Sequence, residues 1–134
     1  METSLIEQAG SRLATLGRVL LGLYFIVPGV SKIVGFAQTS AYMADHHVPF
    51  VPVLLVLTIV LQVGGGLSLA ANYRTRLVAF LLAGLTLIIS LFMHNFWSYP
   101  DGLERAHETQ NFVKNLAIMA GLLLLVAPQN RSPG

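Results

Sequence analysis

The stretch LVAFLLAGLTLIISLF (Leu77–Phe92) decides the fold. It is apolar on every face when wound at 100° per residue, so it has no side for water. Val51–Leu61 has the same character, and two further apolar runs begin near Leu13 and Leu116. Each run with its flanks covers about 18–22 residues, which at 1.5 Å per residue crosses a ~30 Å hydrocarbon core. The spacing predicts helices over about 13–30, 49–71, 77–96 and 104–126. The expected architecture is therefore all-α: an integral membrane four-helix bundle with antiparallel neighbours, one membrane domain over residues 1–134.

Composition agrees. The chain has 134 residues, 54% hydrophobic and only 10% charged, too few charges to cover a water-soluble domain of this size. Mean hydropathy is +0.69. With zero Cys, thiol relays, thiol nucleophiles and Cys-ligated iron–sulfur clusters are excluded. A net charge of +2 without a basic run gives no nucleic-acid footprint. The first twelve residues are polar and no small-residue cleavage site follows the first run, which predicts an uncleaved first span rather than a signal peptide. Pro28 is expected to bend or end that helix. A polar connector over Gly35–Pro49 is expected to hold a short interfacial stretch near Thr39–Met43.

An even number of spans puts both termini on one side. The side bearing Arg12, Arg74, Arg76 and Arg131 is predicted cytoplasmic, with the short loop between helices 2 and 3 as the clearest vote. Phe96, Trp97 and Tyr99 then mark the outer interface.

Strong polar residues interrupt the apolar runs, and such groups persist in hydrocarbon only when paired or hydrated. Lys32 closes helix 1. His94 and Asn95 close helix 3. On helix 4, His107, Glu108, Asn111, Lys114 and Asn115 fall within an arc of about 120°. These residues predict an outward-facing polar cavity formed by Lys32, His94, Asn95, Glu108, Asn111, Lys114 and Asn115. The bland reading is helix-end side chains snorkelling to headgroups, which accounts for one long Lys better than for two neighbouring Asn. Arg18 and Gln62, the latter followed by Gly64-Gly65-Gly66, predict a second, inner polar pair joined by an interhelical hydrogen bond. Its bland reading is an Arg reaching headgroup phosphate, with the glycines as packing.

Other patterns are weaker. Glu104-Arg-Ala-His107 has half of a di-iron motif without the further Glu residues such bundles need. His94 and His107 could ligate a haem from two helices, though paired hydrogen-bonded histidines are commoner. Asp45-His46-His47 reads as a solvated loop, and no metal site is expected. Ala79 and Ala83, and Ala117 and Gly121, offer small-residue faces suited to internal packing or to a homo-oligomer.

The chain resembles the DoxX family of small four-helix bacterial inner-membrane proteins over about Leu16–Pro128. The resemblance rests on Arg18 early in helix 1, Gly29 and Lys32 at its end, Gly-Gly late in helix 2, and Arg74 and Arg76 in the inner loop. His94-Asn95-Phe96-Trp97 and Lys114-Asn115-Leu116-Ala117 complete it. Gln62 departs from the acidic residue many relatives carry before Gly-Gly. The resemblance implies a place in the inner membrane and a link to quinone-dependent membrane oxidoreductases, as a subunit or accessory holding a small ligand such as a quinone. On that reading Lys32 and Lys114 orient or charge-balance the ligand and His94 donates or relays a proton. The chain carries no intrinsic electron carrier. The alternatives are a module that binds or transports an anion or solute, and a structural membrane subunit whose polar groups fix helix register.

Overall fold

The computed structural model describes residues 2–128, and every regular element among them is helical. They are α1 (Glu2–Val34), α2 (Phe36–Asp45), α3 (Val51–Ala70), α4 (Thr75–Met93) and α5 (Leu103–Val126), with a 3-10 turn at Phe96–Ser98. The helices α1, α3, α4 and α5 are long and apolar enough to cross a membrane. Between 11% and 28% of each span's apolar window is buried within the chain, so most of the apolar surface is left for lipid. The protein is an all-α membrane bundle.

Helix 1 departs from its expected bounds at both ends. The polar residues before Leu13 continue the helix outward, because Glu7, Gln8 and Ala9 are good helix formers and a water-facing turn needs no apolar face. Pro28 does not end α1, which continues to Val34. Its missing N–H leaves the Tyr24 carbonyl without that donor. The adjoining turn is held from outside, since Gly29 packs on Val63 of α3. The α1 helix breaks at Gly35, and α2 occupies most of the polar connector without burying any residue. Helix α4 stops at Met93 rather than running to Phe96, its carbonyl ladder closed by the His94 N–H on Ser90. The α3–α4 connection is tight, with Asn72 and Arg74 both in the left-handed region and Thr75 donating to the Asn72 side chain at 2.6 Å.

Antiparallel α1 and α3 approach at glycine. A Cβ added at Gly22 would lie 2.5 Å from the Gly66 carbonyl oxygen, and one at Gly66 would lie 2.5 Å from that of Gly22. Only hydrogen fits between backbones at that distance, as at other small-residue helix contacts. Gly65 faces Leu82 of α4. The core around this contact is Phe25, Leu69, Ala79, Leu82, Ala83 and Leu122. Ala79 and Ala83 thus pack internally, leaving no small-residue face there for another molecule.

Two arginines close helix ends at the opposite pole from Lys32. Arg18 donates to the Leu69 carbonyl at 3.3 Å in the last turn of α3, and Arg76 donates through Nε to the Val126 carbonyl at 2.9 Å at the end of α5. Both reach carbonyls in the last turn of a helix, and both place positive charge at a negative dipole end.

Gly66→Ala should lower stability by about 1–3 kcal/mol, because the α1 and α3 backbones must separate. Gly64→Ala, with nothing within 4 Å of the new methyl, should be neutral or stabilising by up to ~1 kcal/mol. Thermal unfolding in detergent micelles, followed by circular dichroism, checks the contrast.

Candidate polar cleft

The polar groups of α5 enter the bundle through one residue. Asn115, 7% exposed, accepts a hydrogen bond from Tyr24 Oη through Oδ1 at 3.0 Å and donates from Nδ2 to Ser90 Oγ at 3.0 Å. Ser90 Oγ donates to the Thr86 carbonyl at 2.7 Å, and Thr86 Oγ1 donates to the Leu82 carbonyl at 2.7 Å. A thread of hydrogen bonds therefore joins α1, α5 and α4 and satisfies each hydroxyl on the way. Burying these groups unpaired would cost each its full desolvation.

Towards the start of α5, His94 and Glu108 meet at 2.7 Å between Nδ1 and Oε2. Beside them opens a cleft of about 490 Å³ lined by Tyr24, His94, Asn111, Lys114 and Asn115, with Ala117 and Ile118 as apolar wall. Tyr24 and Asn115 direct their donors into the thread. Lys114 is exposed and has no hydrogen bond or ion pair among the described residues. Lys114 and Asn111 are therefore the side chains with donors to spare.

The residues read from the sequence divide into two groups. His94, Asn111, Lys114 and Asn115 line the cleft, and Glu108 touches it through His94. Lys32 is partly buried near the same end of α1 but is not among the lining residues. Asn95 points elsewhere: its Nδ2 donates to Ser98 Oγ at 3.3 Å, and its buried Oδ1 has no partner among the described residues.

Arg18 and Gln62 do not meet. Arg18 binds the Leu69 carbonyl and Thr15 Oγ1. Gln62 lies against Gly29, eleven residues or about 16 Å further along α1 than Arg18. Its Oε1 is buried without a partner among the described residues. The offset follows from helix register, since Gly22 faces Gly66 and Gly29 faces Gln62 and Val63.

Sequence reasoning missed Tyr24, Ser90 and a cap over this end of the bundle. His46 Nδ1 lies 2.9 Å from the Tyr42 carbonyl and its Nε2 lies 3.4 Å from Tyr99 Oη, ring nitrogens placed so that Nδ1–H donates and Nε2 accepts. Burial, then the Glu108 carboxylate, then Tyr99 hold the Tyr42 hydroxyl above its usual pKa, so it remains a donor at neutral pH. Phe96, Trp97 and Phe112 pack edge to face beside it, with centroids 5.3–5.7 Å apart. The one available signal was a lone Tyr in an apolar run four residues before a proline.

Residues 13–95 match the family model DoxX. The chain belongs to the DoxX family. It is 37% identical over 108 residues to inner membrane protein YqjF of Escherichia coli (strain K12), covering 81% of this chain and 77% of that one. Inner membrane protein YphA of the same organism is 29% identical over 113 residues, covering 84% and 80%. No solved structure matches the chain. With four spans and relatives of this kind, the DoxX chain is a multi-pass inner-membrane protein. The family match ends at Asn95, so the α5 side of the cleft lies beyond it.

A double-mutant cycle on Tyr24→Phe and Asn115→Leu should give a coupling of about 0.5–2 kcal/mol, the range of hydrogen bonds between membrane helices. Unfolding in mixed micelles measures it. Spectrophotometric titration, referenced to Tyr42→Phe, should place Tyr42 above the usual tyrosine range. Glu108→Gln should lower that pKa without fully restoring it, because burial is the larger cause.

Proposed function

We propose that this DoxX protein holds a small ligand, a quinone, in the cleft and serves a quinone-linked membrane oxidoreductase as a subunit or accessory. Both termini lie in the cytoplasm, which turns the cleft outward. The arginine-bearing loop of Asn72–Arg76 and Arg12 support that orientation; Arg131 falls outside the described residues.

The observation that carries the reading is the pair of free donors, Lys114 and Asn111, set in a partly apolar cleft beside a histidine–carboxylate pair. A quinone ring presents apolar faces and two carbonyl acceptors, and cofactor pockets of this kind combine an apolar wall with a few converging polar groups. Lys114 Nζ and Asn111 Nδ2 supply hydrogen bonds to the carbonyls. His94 supplies or takes a proton, and Glu108, 2.7 Å from its Nδ1, balances the imidazolium. Lys32, near the same end of α1, adds positive potential. Electrons come from the partner, since the chain holds no carrier.

A second reading has one specific support: Lys114 has no counter-ion among the described residues, so the same cleft could admit a small anion for binding or transport. The single Trp of the chain, Trp97, packs on Phe112 next to Asn111 and reports on occupancy. Short-chain ubiquinone titrated into the protein in lipid nanodiscs should quench Trp97 saturably. Lys114→Leu should weaken binding roughly tenfold or more, the loss of one charge-assisted hydrogen bond. Thiosulfate or chloride flux in liposomes that disappears with Lys114→Leu, together with unsaturable quenching, would replace the quinone by an anion. Neither signal would leave a structural subunit whose polar thread only sets register.

A further inference from the structure

The side of α1 facing away from the bundle carries a pattern that the cleft does not use. Ile6, Ala9, Leu13, Leu16, Leu20 and Leu23 follow one another at alternating steps of three and four residues, and Val27 continues the series to Pro28. All are exposed, from 47% at Leu23 to 70% at Ile6 among the larger ones. Unbroken alternation over three heptads is the seam of a left-handed coiled coil. Gly22, Phe25 and Gly29, which join α1 to its own bundle, lie on the opposite side of the helix.

Lipid covers any apolar face and selects no such spacing. The seam also outruns the bilayer. The 33 residues of α1 reach about 50 Å, against a hydrocarbon core of ~30 Å. With Lys32 near one border, Ile6 and Ala9 stand beyond the other, where a bare apolar stripe is unfavourable.

We propose that this seam pairs with the same seam of a second copy, the two α1 helices running side by side as a parallel coiled coil from outside the hydrocarbon to Val27. Copies in one membrane share an orientation, so a two-fold axis along its normal brings each seam residue to its counterpart. Gly10 and Gly17 each follow a seam residue, and a Cβ added at either would meet nothing within 4 Å, so both allow close approach at the edge. Covered in full, the exposed seam side chains offer at most the ~800 Å² per partner of a standard interface. Because Tyr24 directly follows Leu23, the second helix stands beside the open side of the cleft.

The absence of Cys makes single-Cys variants of the full chain clean reporters. Ile6→Cys, Ala9→Cys, Leu13→Cys and Leu16→Cys lie on the seam, while Glu7→Cys, Gln8→Cys, Ser11→Cys and Ala14→Cys lie off it, and all eight positions are exposed. After oxidation with copper phenanthroline in native membranes, the seam set should give several-fold more disulfide-linked dimer than the other set, alternating with the three–four step. Uniformly weak linking at all eight, as for a helix surrounded only by lipid, overturns the pairing. So does a maximum off the seam.

Discussion

Asn115 spends both halves of its amide inside the bundle, accepting from one helix and donating to another. In hydrocarbon that is the constraint on which the rest of this end depends. Asn115 is nearly buried, and a lost partner would leave its amide unpaired at a cost, so Tyr24, Asn115 and Ser90 must stay at one level. Holding them there fixes the rotation of α5 and turns the neighbouring Lys114 and Asn111 towards the space beside α1. The cleft is a consequence of satisfying a buried amide.

The two ends of the bundle solve the same problem with different chemistry. At the arginine end, guanidinium groups reach the last carbonyls of α3 and α5 and close them. At the other end the Glu108 carboxylate pairs with the His94 imidazole and the Asn115 amide with two hydroxyls, and Lys114 is left without a partner among the described residues. Between them, the Gly22–Gly66 approach draws α1 and α3 together without polar groups. Polar satisfaction is thus fuller where the arginines lie than at the cleft, and a donor left over is what a ligand can use.

Run length made the spans legible, because a segment apolar on all sides has few other solutions. The α5 stripe was legible for a related reason: residues sharing about 120° of a helix must face one way, and Lys114, Asn111 and Asn115 do share the cleft. The ends of elements were not legible, since Pro28 and the polar N-terminus signal a stop only when no neighbour supports the helix. Pairing was the hardest part. Depth counted from helix ends set Arg18 near Gln62, whereas the glycine contacts set the register and separate them by about three turns. Tyr24 escaped notice because its partner is 91 residues away, and nothing local marks a tyrosine as the end of a thread rather than as an apolar filler.

Most depends on Lys114 standing in a water-reached cleft at the outer end of the bundle while the far face of α5 meets lipid. Lys114→Cys and Leu124→Cys, introduced separately into the cysteine-free chain, can be challenged in intact spheroplasts with a membrane-impermeant maleimide. Rapid labelling is expected at position 114 without permeabilisation, and none at position 124. Equal labelling at the two positions, or labelling of 114 only after the membrane is opened, would contradict that placement.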